Sequence, residues 1–376
     1  MANRAEKVRK KLLELDLDAL FITNQQNVSY LTGFTALAAN EREGFILITK
    51  NHLYFFVFST YFDLFEKGKN EFTVLCLSYK KRLSGYLNKI SQKEKIESIG
   101  IEEENITLSE FASLKNKVKV KWQKTKGLVE DLRVIKEEEE LKSIKKAAKI
   151  TDDAFSFIKG KIKKGVSEKE LALELEYFLK KNAGEIAFSP IVAFNQNAAI
   201  PHYLPTNNQQ LTNNDLILLD FGAKVNGYCA DMTRVIFFGE PSFKHKLVYE
   251  IVLHTQEEII KTLNHHSHNT YYYSGIKKKE MAISGAKLDK IARQFIKKHH
   301  FTPYLHGLGH GVGLSIHEDP RLKINSEHIL LPGMVFTIEP GIYIKNWGGI
   351  RIEDLVVLKE NGIEILSKSP KEFIII

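Results

Sequence analysis

Apolar positions in this chain change period several times, and each change marks an element. Val8, Leu12 and Leu15 are spaced like one face of a helix near the start. Ala19-Leu-Phe-Ile-Thr follows as a short β-prone run. Phe45 to Thr49 and Leu53 to Phe58 are two more, joined by the turn Lys50-Asn-His. Phe72 to Leu77 and Ile99 to Ile101 complete the series. Strands alternating with helical stretches predict an α/β domain that ends near residue 125.

A helical period returns at the acidic run Glu137 to Glu140. Leu141, Ile144, Ala148, Thr151, Phe155 and Ile158 step by three and four, which predicts a long amphipathic helix. Acids in its first turns suit the positive end of the helix dipole, so the run reads as a solvated helix start. The boundary region is 126–136, which assigns 1–128 to a first domain and 129–376 to a second.

The second domain carries a faint internal repeat. Ser167 and Ser284 each stand as a capping residue before a helical stretch. Further on in each half an apolar run ends in an acid, Leu216-Ile-Leu-Leu-Asp220 and Met334-Val-Phe-Thr-Ile-Glu339. Each run is followed by a turn, Val225-Asn-Gly and Lys345-Asn-Trp-Gly-Gly, and then by a second acid, Asp231 and Glu353. Ile200-Pro-His202 and Ile316-His317 place a histidine ahead of each unit. This order predicts two pseudo-symmetric halves on one sheet system. The segment Asn264 to Gly275, rich in His and Tyr, reads as an exposed loop that interrupts the second half, with its histidines incidental surface.

Composition narrows the function classes. With 23 Phe and 14 Tyr in 376 residues, disorder is excluded as the main state. Two cysteines, Cys76 and Cys229, make no disulfide framework. No apolar stretch approaches the ~20 residues of a spanning helix, and no signal-peptide pattern opens the chain. A soluble cytoplasmic protein without membrane contact is expected. The 54 Lys+Arg against 46 Asp+Glu give a net charge of +8, but the lysines are scattered over helices and no nucleic-acid motif accompanies them. No nucleic-acid partner is therefore expected.

The candidate chemistry is acidic instead. Asp220, Asp231, Glu339 and Glu353 all flank apolar runs, where acids are disfavoured in strand interiors. If the halves face each other, four carboxylates converge and repel unless neutralised. Two divalent cations balance them. An imidazole donor is at hand in His306-Gly-Leu-Gly-His310-Gly-Val-Gly-Leu-Ser-Ile-His317, whose glycines oppose a helix and favour an extended, closely approached segment. There is no H-E-x-x-H and no phosphate-binding loop signature.

These residues resemble a known family. The Asp220 to Asp231 stretch, His306-Gly-Leu-Gly-His-Gly-Val-Gly-Leu, Ile338-Glu-Pro-Gly-Ile-Tyr and Gly349-Ile-Arg-Ile-Glu-Asp are similar to the pita-bread metallopeptidases, in their proline-specific branch of aminopeptidase P and prolidase. Arg133-Val-Ile-Lys-Glu-Glu-Glu-Glu-Leu resembles the start of that catalytic domain, and Asn27-Val-Ser-Tyr-Leu-Thr-Gly-Phe the family's creatinase-like N-terminal domain. The resemblance spans the whole chain. It implies an α/β (α+β) protein, with a creatinase-like α/β domain before a pita-bread catalytic domain of pseudo-two-fold halves.

The resemblance also implies two divalent metal ions, Mn²⁺ first, with Co²⁺, Zn²⁺ and Fe²⁺ as the other candidates. Asp220, Asp231, His310, Glu339 and Glu353 match the ligands. His202, His306 and His317 match the substrate-pocket histidines, and Arg351 an arginine behind the ligands. Glu339 is expected to move a proton as general base, with His202 and His317 at the oxyanion or the proline nitrogen. The expected reaction is an Xaa-Pro aminopeptidase acting on peptides with proline second, with an Xaa-Pro dipeptidase (prolidase) or a non-enzymatic pita-bread binding protein as alternatives. A homodimer is expected.

Overall fold

The computed structural model describes residues 2–35, 41–66, 72–270, 283–326 and 328–376. The chain divides into two compact units, Met1–Arg133 and Val134–Ile376. The first contains α1 (Ala2–Glu14), β1 (Ala19–Ile22), α2 (Gln25–Thr32), β2 (Gly44–Thr49), β3 (Leu53–Phe58), α3 (Ser59–Glu66), β4 (Thr73–Leu77), α4 (Leu83–Glu94), β5 (Ser98–Glu102), α5 (Leu108–Lys117) and β6 (Lys121–Thr125), with the short α6 (Glu130–Val134) at its end. Its six strands form one mixed sheet in the order β4-β3-β2-β1-β5-β6. β1 and β2 are buried along their whole length, which is why they read as unbroken apolar runs. β6, Lys-Trp-Gln-Lys-Thr, departs from the apolar pattern at the sheet edge, where it pairs with β5 and where charged side chains are tolerated.

The second unit opens with α7 (Glu138–Lys159). The predicted stripe is its buried face, from Leu141 to Ile158. The acidic run at its start is not wholly solvated. Glu137 and Glu140 form a reciprocal cap, and Glu140 is buried, accepting a 2.8 Å hydrogen bond from the Tyr228 hydroxyl. α8 (Glu168–Ala183) starts at Ser167, whose hydroxyl takes the Glu170 N–H while the Glu170 carboxylate takes the Ser167 N–H. Such a cap contributes about 1 kcal/mol. Ser167→Ala is therefore expected to lower the Tm of this unit by about 2–4 °C, read by scanning calorimetry.

The repeat seen in the sequence is a repeat of strands. After β7 (Glu185–Ile186) come β8 (Ile191–Phe194), β9 (Asp215–Phe221), the hairpin β10 (Ala223–Val225) and β11 (Tyr228–Cys229), and β12 (Met232–Phe238). After α9 (Phe243–Thr270) and α10 (Gly285–Lys298) come β13 (Gly309–Gly311), β14 (Glu318–Leu322), β15 (Val335–Ile338), the hairpin β16 (Gly341–Ile344) and β17 (Gly348–Arg351), β18 (Asp354–Lys359), β19 (Gly362–Ile365) and β20 (Ile374–Ile375). β8-β9-β12 in one half and β13-β15-β18 in the other have the same order, each with a hairpin between its last two strands. Asn226 and Gly227 both have positive φ, as the tight β10–β11 turn requires.

Two expectations are corrected here. The halves do not share one sheet: β20-β12-β9-β8 and β14-β13-β15-β18-β19 are separate ladders. Side chains join them, because Arg234 of β12 is fully buried and donates to Asp354 of β18 at 2.7 Å. The His/Tyr-rich segment is not a loop at its start. α9 runs through Thr270, because buried Ile259 and Leu263 continue its apolar face and Asn264 accepts the Ile363 N–H at 2.9 Å. The rest of that segment, 271–275, lies outside the described residues. Among the described residues no helix is long and apolar enough to cross a membrane.

Candidate metal centre and substrate pocket

The strand registers bring the four acids together. Asp220 near the end of β9 lies opposite Thr233 of β12, and Asp231 precedes β12. Ile338 lies opposite Asp354, so Glu339 and Glu353 occupy the corresponding places beside β15 and β18. The Thr233 hydroxyl donates to Glu353 Oε2 at 2.6 Å and ties the halves at this level. The imidazole comes from β13. A Cβ at Gly309 would lie 2.0 Å from the Thr337 carbonyl oxygen, and one at Gly311 would lie 2.1 Å from that of Asp319. Only glycines on either side of His310 let β13 run this close to its neighbours.

Asp231, His310 and Glu353 each bring a donor atom within 4.8 Å of the others. Glu339 Oε1 is 3.4 Å from His310 Nε2, and Asp231 Oδ2 is 3.6 Å from it. Asp220 is held by Arg351, whose Nη2 donates at 2.6 Å. All five expected ligand residues thus meet in one place, three of them as a tight group.

The electrostatics of this cluster are frustrated. Burial, with the charge of Asp220 beside it, pushes Glu353 up to about 8. Burial and the Glu353 charge push Asp231 and Glu339 well above the ordinary carboxylate range. Burial raises Asp220 as well, against the pull of Arg351. Burial depresses His310 to about 3, so its imidazole is neutral and able to donate a lone pair. Asp220 Oδ1 and Asp231 Oδ1 are buried without a hydrogen-bond partner. Buried acceptors of this kind are rare unless something else satisfies them. Carboxylate oxygens with one neutral imidazole suit hard or borderline divalent cations, so the residues fit the expected ions.

A cavity of about 410 Å³ opens over the cluster, and His202, His306 and His317 all line it. Each histidine sits on a loop with its own anchor. Glu168, buried at the start of α8, accepts from the Phe194 N–H, Asn197 Nδ2 and the Tyr203 hydroxyl, all at 2.8 Å, and so holds the loop of His202. Lys136 Nζ donates to Glu318 Oε1 at 2.9 Å, and Glu318 Oε2 accepts the Ser315 N–H at 3.3 Å, which sets the turn of His317. His317 packs edge-on against His310, ring centres 4.4 Å apart. His306 is half-buried and pushed down to about 4, chiefly by burial.

Several residues here have no role legible in the sequence. Tyr343, Thr233 and Thr337 all bond to candidate site groups, and Arg321 and Lys323 line the cavity. Tyr343 falls inside a motif already singled out, four residues after Glu339. The others carry no signal apart from the fold.

Acids at strand ends, matched across two halves beneath an open pocket, are the arrangement of a hydrolase of metallopeptidase type. The chain belongs to metallopeptidase family M24, whose family model matches residues 142–360, and residues 4–135 match the creatinase/prolidase N-terminal domain. It is 36% identical over 375 residues to the Xaa-Pro dipeptidase of Pyrococcus horikoshii, covering 98% of this chain and 99% of that one. Among solved structures it is similar to an Xaa-Pro dipeptidase from Bacillus anthracis, with a TM-score of 0.89 at 35% identity, covering 100% of this chain and 99% of that one. It is also similar to an X-Pro aminopeptidase from Thermotoga maritima, with a TM-score of 0.84 at 34% identity, covering 96% and 98%.

Proposed function

We propose that this enzyme is an Xaa-Pro dipeptidase that hydrolyses the bond before a C-terminal proline. The observation that carries the reading is the pocket itself: the carboxylate–imidazole cluster forms one part of its wall, and the cations of Arg321 and Lys323 form another. A dipeptide presents a free carboxylate close to the scissile bond, and such a pocket can meet both groups at once. Relatives named Xaa-Pro dipeptidase, matched over nearly their whole length, support it over the aminopeptidase expected from the sequence. The convergence of all five candidate ligands supports an enzyme over a binding protein.

Asp220, Asp231, His310, Glu339 and Glu353 would hold two divalent ions, Mn²⁺ first. Such ions polarise a carbonyl and lower the pKa of water. Glu339 holds the proton taken from the attacking water and returns it to the departing proline nitrogen. His202 and His317, exposed into the pocket, bond the developing oxyanion and steady the leaving group. Arg351 bonds Asp220 and Thr233, and Thr233 bonds Glu353, so one guanidinium orients two of the acids. An Xaa-Pro amide lacks an N–H, so the enzyme needs no acceptor there, and the apolar walls at Phe188, Pro190 and Ile316 suit the ring.

The test is to strip the protein of metal, reload it with Mn²⁺, and compare an Xaa-Pro dipeptide with an Xaa-Pro-Yaa tripeptide. The dipeptide is expected to be cleaved with at least ~10-fold higher kcat/KM, the worth of one hydrogen bond to a charged group. Equal cleavage of both returns the aminopeptidase reading, and cleavage of neither overturns the function.

A further inference from the structure

Asp289 and Arg293 lie one turn apart on α10 and converge on the chain segment that carries His306. The Asp289 carboxylate is fully buried. Its Oδ1 accepts the Tyr304 hydroxyl at 3.1 Å and the Leu308 N–H at 3.1 Å, and its Oδ2 accepts Arg293 Nε at 2.8 Å. The Arg293 guanidinium then donates to the carbonyl oxygens of Tyr304 and His306, both at 2.6 Å. The Tyr304 ring packs against that guanidinium, 4.4 Å from its centre, and against the His306 imidazole, stacked at 4.9 Å and 23°. One salt-bridged pair thus fixes three backbone positions and the plane of one imidazole.

The hydrogen bonds of His306 then run in one direction only. Nδ1 is 2.6 Å from the Gly307 carbonyl oxygen, which can only accept, so Nδ1 carries the proton. Nε2 is left with a lone pair and lies 2.9 Å from the Tyr343 hydroxyl, which donates to it. The Tyr343 oxygen accepts Arg351 Nη1 at 2.9 Å, and Arg351 Nη2 binds Asp220. Both ring nitrogens are engaged, and the sequence expectation that His306 meets substrate has no free atom to serve it. The Leu308 carbonyl that follows accepts the Glu339 N–H at 2.8 Å, so the same segment also sets the backbone of Glu339.

We propose that Asp289 and Arg293 are positioning residues of this enzyme: they hold His306 as the acceptor that aims the Tyr343 hydroxyl, so that His306 acts through Tyr343 and Arg351 and does not touch substrate. The proposal rests on the peptidase reading only for its kinetic consequence. A tilted imidazole leaves the Tyr343 proton without its acceptor, and Arg351 loses the fixed oxygen beside Asp220. Groups at this remove from a metal site typically matter 10–100-fold.

Removing Asp289 outright strands a cation and an N–H, so the informative variant is milder. Arg293→Lys keeps the charge beside Asp289 and loses the paired bonds to the two carbonyls. With Mn²⁺ and the dipeptide, we expect kcat to fall about 10-fold with KM within threefold and an unchanged far-UV circular dichroism spectrum. In a His306→Asn background the same change is expected to cost nothing further. A second readout needs neither metal nor turnover: ¹⁵N-histidine NMR, with the His306 signal identified by its loss in His306→Asn. The wild type is expected to show the Nδ1–H tautomer, and Arg293→Lys a mixture of the two. Unchanged kcat in Arg293→Lys, multiplying losses in the double variant, or an Nε2–H tautomer in the wild type overturns the proposal. A wild type that cleaves no Xaa-Pro substrate yet shows the Nδ1–H tautomer overturns the function and leaves the clamp standing.

Discussion

Glu339→Gln is expected to lower kcat for Xaa-Pro dipeptide cleavage by about 10²–10⁴-fold, the range a positioned general base contributes. The place of the carboxylate suits it to that work. Its Oε1 lies 3.2 Å from the Thr337 hydroxyl and 3.4 Å from His310 Nε2, and its Oε2 lies 3.9 Å from His306 Nδ1. Both oxygens therefore face the donors of the cluster and the pocket, within reach of a water bound there. Glutamine keeps the volume and the Thr337 bond but cannot hold the proton. Metal content measured alongside the kinetics separates loss of the base from loss of an ion. A variant with full metal content and kcat within threefold of the wild type would remove Glu339 from this role.

The second large effect is on stability, and it depends on pH. In protein freed of metal by a chelator, Asp231, Glu339 and Glu353 have folded-state pKa values above their unfolded ones. The folded chain then keeps protons that the unfolded chain has released. Stability from these groups is complete below the unfolded carboxylate range and is lost as pH rises through the folded values. For Glu353, raised from 4.5 to about 8, the loss amounts to roughly 5 kcal/mol across that window. Divalent cations replace the protons, so their effect must grow as the protons leave. At a hundred times Kd an ion adds about 2.7 kcal/mol, which corresponds to ~5–10 °C in Tm for a unit of this size. Mn²⁺ is expected to raise the Tm by that amount at pH 8 and by less than half of it at pH 5. Differential scanning fluorimetry on chelated and reloaded protein checks this, and an equal shift at both pH values would mean that the ion binds elsewhere.

The two expectations share one cluster. Like charges placed inside a folded unit raise the pKa of its carboxylates, and that rise makes the cluster a cation trap. The +8 charge of the chain has no part in it. The scattered lysines pair with surface acids, as Lys149 does with Asp153 and Lys180 with Glu176, and such pairs contribute little.

Much of this protein is written in local sequence. The apolar period of α7, the serine caps of α8 and α10 and the unbroken runs of β1 and β2 depend on neighbours a few residues away, and these elements form where the pattern puts them. The four acids, the glycine-flanked His310 and the matched order of the two halves were legible for the same reason: acids beside apolar runs and alternating glycines need an explanation that ordinary turns do not give. Tertiary structure alone decided the rest. Whether the halves share a sheet depends on hydrogen bonds between strands far apart in sequence, and they do not share one. Glu140 lies in a solvated-looking run yet is buried, because the Tyr228 hydroxyl, 88 residues on, reaches it. Asp289 and Arg293 look like an ordinary helical ion pair, and only the fold lays them against the segment of His306. The sequence sets which side chains are available at each period, while the direction of a carboxylate and the proton of an imidazole are set by partners that only the folded chain brings within 3 Å.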